Sequence, residues 1–189
     1  LFHMNVTQIK RSKGQSAIAA AGAILYYLEF TEHKNIAHIS SLARIDREEY
    51  VWIDKFTARN LELFTSNGDA DYSFARAIDR TKTAMGGRLL RRWIAMPILD
   101  KKRINERLDM VEAFVQNKAV MGCVAEQLAL VGDIERIASR IASLRVTPRE
   151  LVQLKHSLSS LENMQAMFFS TDSDVMHELA SQIDPLSQI

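Results

Sequence analysis

IDRTKTAMGGRLLRRWIAMPILD, residues 78–100, holds a turn, a basic amphipathic helix and a helix-ending proline in one short passage. Arg88, Arg91 and Arg92 recur at i, i+3 and i+4, which puts them on one helical face. Met85, Leu89, Trp93 and Met96 step by four, four and three and mark the apolar face, which Leu90 and Ile94 widen. Burial of that face makes Trp93 a core residue by expectation. Pro97 stops the helix near Met96, because proline lacks the N–H and clashes with the preceding turn. Gly86 and Gly87 read as small residues at the helix start, where a neighbour comes close.

Helical periods continue on both sides. Upstream, QSAIAAAGAILYYLEF (Gln15–Phe30) is alanine-rich and apolar on most sides, so a helix buried against several neighbours is expected. Residues 1–14 form a poorly specified tail, and residues 36–45 read as a loop with short extended pieces. Tyr50 to Ile53 is a β-prone run ended by Asp54. Residues 57–64 look like a short helix and residues 66–71 like a loop, and Phe74 and Ile78 share a face.

Downstream, Asp100 suits an N-cap, followed by Ile104, Leu108, Val111 and Val115. Val120, Val124, Leu128 and Val131 repeat the rhythm. Asp133 can cap a helix carrying Ile134, Ile137, Ala138, Ile141 and Leu144. Thr147-Pro148-Arg149-Glu150 fits a capping box with proline at the first helical position. The next helix carries a seam of Leu151, Leu154, Leu158 and Leu161, with Ser157, Ser159 and Ser160 as its polar side. Asp172 suits the cap of a last helix, which Pro185 ends. The fold class that follows is all-α, built of long antiparallel helices with a short extended segment near residues 50–54.

The formal net charge of +1 over 189 residues predicts no particular partner. Its distribution is uneven: ten basic residues from Arg76 to Arg107 face three acids, a local balance of +7. Two readings stay open for Arg88, Arg91 and Arg92. One is a solvated face laced with salt bridges; the other is a patch that contacts nucleic-acid phosphates. Neither GxxxxGK[ST] nor GxGxxG occurs, so no phosphate loop is expected. His3, His33, His38, His156 and His177 pair with no other ligand at metal spacing. Cys123, the single cysteine, excludes an internal disulfide and reads as a small core residue. No catalytic triad or carboxylate pair emerges, and no apolar run is long enough to span a bilayer. Leu1 is no initiator methionine, so the expectation is a piece of a longer chain.

Several phrases, in order, resemble the MutS family of DNA mismatch repair proteins. They are AAAGAILYYL (19–28), WIDKFTARNLEL (52–63), the string T-x-M-G-x-R-L-L-x-R-W-x-x-x-P within residues 79–100, NERLDMVEAF (105–114), GDIER (132–136) and TPRELVQLKHSL (147–158). In the third of these Met85, Gly86, Leu89, Trp93 and Pro97 are the structural positions.

The resemblance implies that residues 1–30 are the tail of a connector-like domain and residues 31–189 the first part of a MutS-type core or lever domain. The family's mismatch-reading domain, DNA clamp and ATPase have no counterpart here. For the segment itself it implies no catalytic residue, cofactor or metal. For the whole protein it implies ATP with magnesium, mismatched double-stranded DNA, a homodimer, other mismatch repair proteins and a cytoplasmic location, with no membrane. The implied role is mechanical, linking the DNA-holding end to the nucleotide-driven end. Two alternatives remain: a free-standing basic helical module that binds nucleic acid, and a MutS relative acting in recombination.

Overall fold

The computed structural model describes residues 15–31, 47–66, 72–184 and 186. The expected tail at residues 1–14, the loop at 36–45, most of the loop at 66–71 and Pro185 lie outside them. Nine α-helices are described: α1 (Gln15–Phe30), α2 (Lys55–Asn60), α3 (Phe74–Ile78), α4 (Ala84–Ala95), α5 (Lys101–Gln116), α6 (Lys118–Leu130), α7 (Ile134–Ala142), α8 (Pro148–Phe169) and α9 (Asp174–Gln182), with a 3-10 turn at Arg47–Glu49. The chain divides into two compact units, and the described part of the smaller holds α1 and Ser139–Arg145.

In the smaller unit α1 has the bounds its alanine content implies. Its last turn is closed by Thr31, whose N–H (2.9 Å) and hydroxyl (2.8 Å) both donate to the Tyr27 carbonyl. Burial is not observed: Ile24, Tyr26, Tyr27 and Phe30 are all exposed, and Tyr26 and Phe30, an i, i+4 pair, stack at 6.2 Å. At Ser139–Arg145, Arg145 N–H donates to Arg140 O and Leu144 N–H to Ile141 O. This is a Schellman closure with Leu144 at φ 56°. Leu144, expected on an apolar face, is instead the exposed turning residue.

The larger unit begins with an extended segment. Tyr50 and Ile98 form an isolated antiparallel bridge, with Val51 N–H donating to Pro97 O (2.7 Å) and Leu99 N–H to Glu49 O (3.0 Å). The Asp54 carboxylate caps α2 by accepting from Phe56 N–H (2.8 Å) and Thr57 N–H (3.0 Å). Leu61 and Phe64 suggested a helix to residue 64, yet α2 ends at Asn60. Glu62, at φ 50°, turns the chain while Leu63 N–H donates to Ala58 O. The freed carbonyls of Glu62 and Leu63 then accept from Phe74 and Ala75 N–H at the start of α3.

The core lies among α5, α6, α8 and α9. There α8 packs on α6 and α9, while α5 packs on α6 and α9. Ala113, Val124, Val131, Met164, Phe168, Met176 and Ala180 form the buried cluster, and Phe114 meets Phe168 edge to face at 6.0 Å. Asn117 alone separates α5 from α6. Gln165 of α8 donates to Ala180 O (3.0 Å) and Ile183 O (2.7 Å), tying down the last carbonyls of α9.

Several expected faces rotate. In α8 the buried face is Ser157, Ser160, Met164 and Phe168, and Leu151 of the leucine seam is exposed. Ser157 and Ser160 are therefore interior residues, and of the three serines only Ser159 is a surface one. Small side chains there let α6 approach, which a leucine would prevent. In α5, Ala113 is buried, whereas Leu108, Val111 and Val115 are exposed. Cys123 is exposed, not a core residue. The cap of α9 is Ser173, one residue beyond Asp172, and its side chain makes no capping bond. No β-strand occurs among the described residues, so the all-α class holds.

Candidate nucleic-acid interface and the joint beneath it

The basic segment is centred on α4. Its start is built locally: Thr83 Oγ1 accepts from Gly86 N–H (3.0 Å). The two glycines fit tightly against the threonines that precede them. A Cβ on Gly86 would sit 3.1 Å from Thr83 Oγ1, and one on Gly87 3.3 Å from Thr81 Oγ1. The Asp79 carboxylate lies beside Gly87 and accepts from Thr81 N–H (2.9 Å) and Thr81 Oγ1 (2.7 Å). Those two bonds hold Asp79 below its ordinary value of 3.8, with Arg91 and Arg80 adding a smaller attraction.

The three arginines separate in role. Arg88 donates from Nη1 to Asp133 Oδ2 (2.9 Å) and from Nη2 to Asp133 Oδ1 (2.7 Å), a bidentate pair. It also donates from Nη2 (2.6 Å) and Nε (3.1 Å) to Glu135 Oε2. Its hydrogen bonds to both carboxylates push the guanidinium above its ordinary range, and Arg88 in turn holds Asp133 below the usual carboxylate value. Arg91 and Arg92 are exposed. Asp133 and Glu135 reduce the segment's local balance from +7 to +5. Elsewhere in the segment Lys102 and Glu106 are 3.8 Å apart at i, i+4, a weak pair between exposed side chains.

The apolar positions also divide. Met85 packs against the core, and Met96 and Pro97 are partly buried. Leu89 and Trp93 are 47% and 42% exposed, so neither is the core residue the spacing suggested. Trp93 is covered instead by Arg107 of α5, whose guanidinium carbon stands 3.7 Å from the ring centroid.

Beneath Arg88 lies a joint that sequence reasoning missed. Val131-Gly132-Asp133 is the whole connection between α6 and α7. Gly132 N–H donates to Ser157 Oγ (2.9 Å), and Ser157 Oγ donates to Gln153 O (2.8 Å), so this fully buried hydroxyl is satisfied both ways. The Gln153 side chain covers Gly132; a Cβ there would stand 2.6 Å from its Nε2. Asp133 Oδ1 accepts from Arg136 N–H (3.3 Å), the cap expected of it, while also holding Arg88. The partners are 25 and 45 residues apart in the chain. Only Asp133 carried a local signal.

Between α6 and α8 a groove of about 610 Å³ is lined partly by Gln127, Arg149, Gln153, His156 and Asn163. Its lining joins hydrogen-bonding amides and hydroxyls to the Arg149 guanidinium and the His156 imidazole. No group of three or more His, Cys, Asp or Glu side chains suited to a metal ion occurs among the described residues. No described helix is long and apolar enough to cross a membrane.

Helices fastened at a polar joint, with a basic helix on the surface, define an all-helical structural domain. The chain belongs to the MutS domain III family, whose model matches residues 56–188. It is 46% identical over 168 residues to the DNA mismatch repair protein MutS of Cytophaga hutchinsonii, covering 89% of this chain and 20% of that protein. The proteins of the same name from Bacteroides thetaiotaomicron and Phocaeicola vulgatus are 45% and 43% identical over 170 residues, covering 90% of this chain and 20% of each. The chain therefore spans about a fifth of the length of these relatives.

Proposed function

We propose that residues 31–189 are the first part of the core or lever domain of a DNA mismatch repair MutS protein, and residues 1–30 the tail of its connector-like domain. In this reading the segment performs no chemistry. It carries rigid-body motion between a mismatch-binding end and an ATP-hydrolysing end, which ATP and magnesium serve elsewhere in the protein. The observation that carries it is the family match over residues 56–188, within a chain that covers a fifth of its relatives. Helices locked at polar joints suit transmission, because packed elements shift between discrete arrangements and do not bend smoothly. The whole protein is then a cytoplasmic homodimer acting on mismatched duplex DNA with other repair proteins. The test is ATP turnover by the purified chain with magnesium, after circular dichroism has shown it to be helical. Background turnover is expected; turnover above it contradicts the reading.

The exposed Arg91 and Arg92 favour a second reading, a basic helical module that binds nucleic acid by itself. That module would bind duplex DNA with a log–log salt slope of about −0.9 per phosphate contacted, and lose binding when both arginines become alanine. The lever reading predicts no such binding at low salt.

A further inference from the structure

The geometry points to the α6–α7 connection as a locked joint that positions three helices together. Val131–Asp133 is held from two sides by groups of opposite character. On one side Arg88 of α4 grips Asp133 and Glu135 with four hydrogen bonds. On the other, buried Ser157 of α8 holds Gly132 N–H, and Gln153 closes over the glycine. Asp133 carries the grip of α4 into α7: the oxygen that takes Arg88 Nη2 also caps Arg136 N–H. Because Gly132 and Asp133 are adjacent, a shift of α4 relative to α8 must break one grip or carry the first turn of α7 with it. Ser157 is a positioning residue in this scheme, as is Arg88. Neither needs to touch a ligand. The service of the joint in transmission rests on the lever reading above; the locking itself does not.

Hydrogen–deuterium exchange on the intact protein tests the locking, read on peptides covering the first turn of α7. R88A removes a direct partner of Asp133 and should speed exchange there by about tenfold or more. S157A touches no amide of α7, yet it should speed the same peptide. The double variant should fall short of the product of the two single effects, because either loss opens one cooperative unit. R88K should recover part of the protection, since an ammonium reaches one carboxylate but cannot span two in fork geometry. Unchanged exchange of the Met176–Ala180 core peptide reports that each variant is folded. If S157A leaves the α7 peptide unchanged, or the double variant equals the product, the two grips are independent and the joint does not exist. That result would leave the lever reading intact, and ATP turnover by the isolated chain would leave the joint intact.

Discussion

Asp54, Asp79 and Asp133 each accept hydrogen bonds that favour the ionised form, from Thr57, Thr81 and Arg88 respectively. All three are thereby held below their ordinary value of 3.8. A lowered folded-state value means that the unfolded chain binds the proton first. The stabilisation is present above about pH 4 and is lost as pH falls through the folded values. The urea midpoint should therefore be lower at pH 3 than at pH 5. D133N should remove part of that slope; a midpoint independent of pH down to 3 contradicts the assignment. At Trp93 the expectation changes once exposure is known. Emptying a fully buried aromatic site costs about 3–5 kcal/mol, but Trp93 keeps 42% of its surface in solvent and rests under Arg107. W93A should cost about 1–2 kcal/mol in urea melts of the chain, with R107A removing part of the same energy. A loss above about 3 kcal/mol would show the ring to be core. The spacing of residues 85–96 revealed the helix but not this exposure, because periodicity says which residues share a face and not what covers it.

At the scale of the element, helix starts were largely legible and faces were not. Thr147 and Glu150 form the expected capping box, Thr147 N–H donating to Glu150 Oε2 at 2.9 Å. Asp100 caps α5 through Lys102 N–H at 2.9 Å. Such signals are complete within four residues, so a sequence contains them whole. Ends set by left-handed residues were missed. Glu62 and Leu144 close α2 and α7 at positive φ, where glycine or asparagine would have announced the turn. Leu144 is 85% exposed, so its side chain contributes little against the strain of φ 56°. L144G should therefore raise stability by about 0.5–1 kcal/mol, the left-handed penalty less the entropy of glycine. A thermal midpoint that drops would mean the leucine is held by contacts that outweigh the strain. Faces were misread in α5 and α8 because a second set of residues at helical spacing competed with the buried one. Ala113 and Ser157 face the core on account of what lies opposite, and that information is 25 or more residues away for Ser157.

For the whole molecule, all-helical architecture and family were readable, since few glycines and prolines interrupt long apolar periods. The joint was not, because it forms only when α4, α7 and α8 come together. Its two grips tie the α6–α7 connection to Arg88 of α4 on one side and to Gln153 and Ser157 of α8 on the other. A transmitting segment needs such ties between helices, and a surface that merely binds DNA does not. The central proposal is that this part of the protein couples two ends and does the chemistry of neither. ATP turnover by the intact protein, with mismatched and matched duplex DNA, tests it most directly when wild type is compared with the R88A/S157A variant. The account predicts that the variant still binds mismatched DNA and still hydrolyses ATP, while the difference between the two duplexes in turnover collapses. A difference as large as that of wild type, in a variant whose α7 exchange shows the joint to be open, would contradict it.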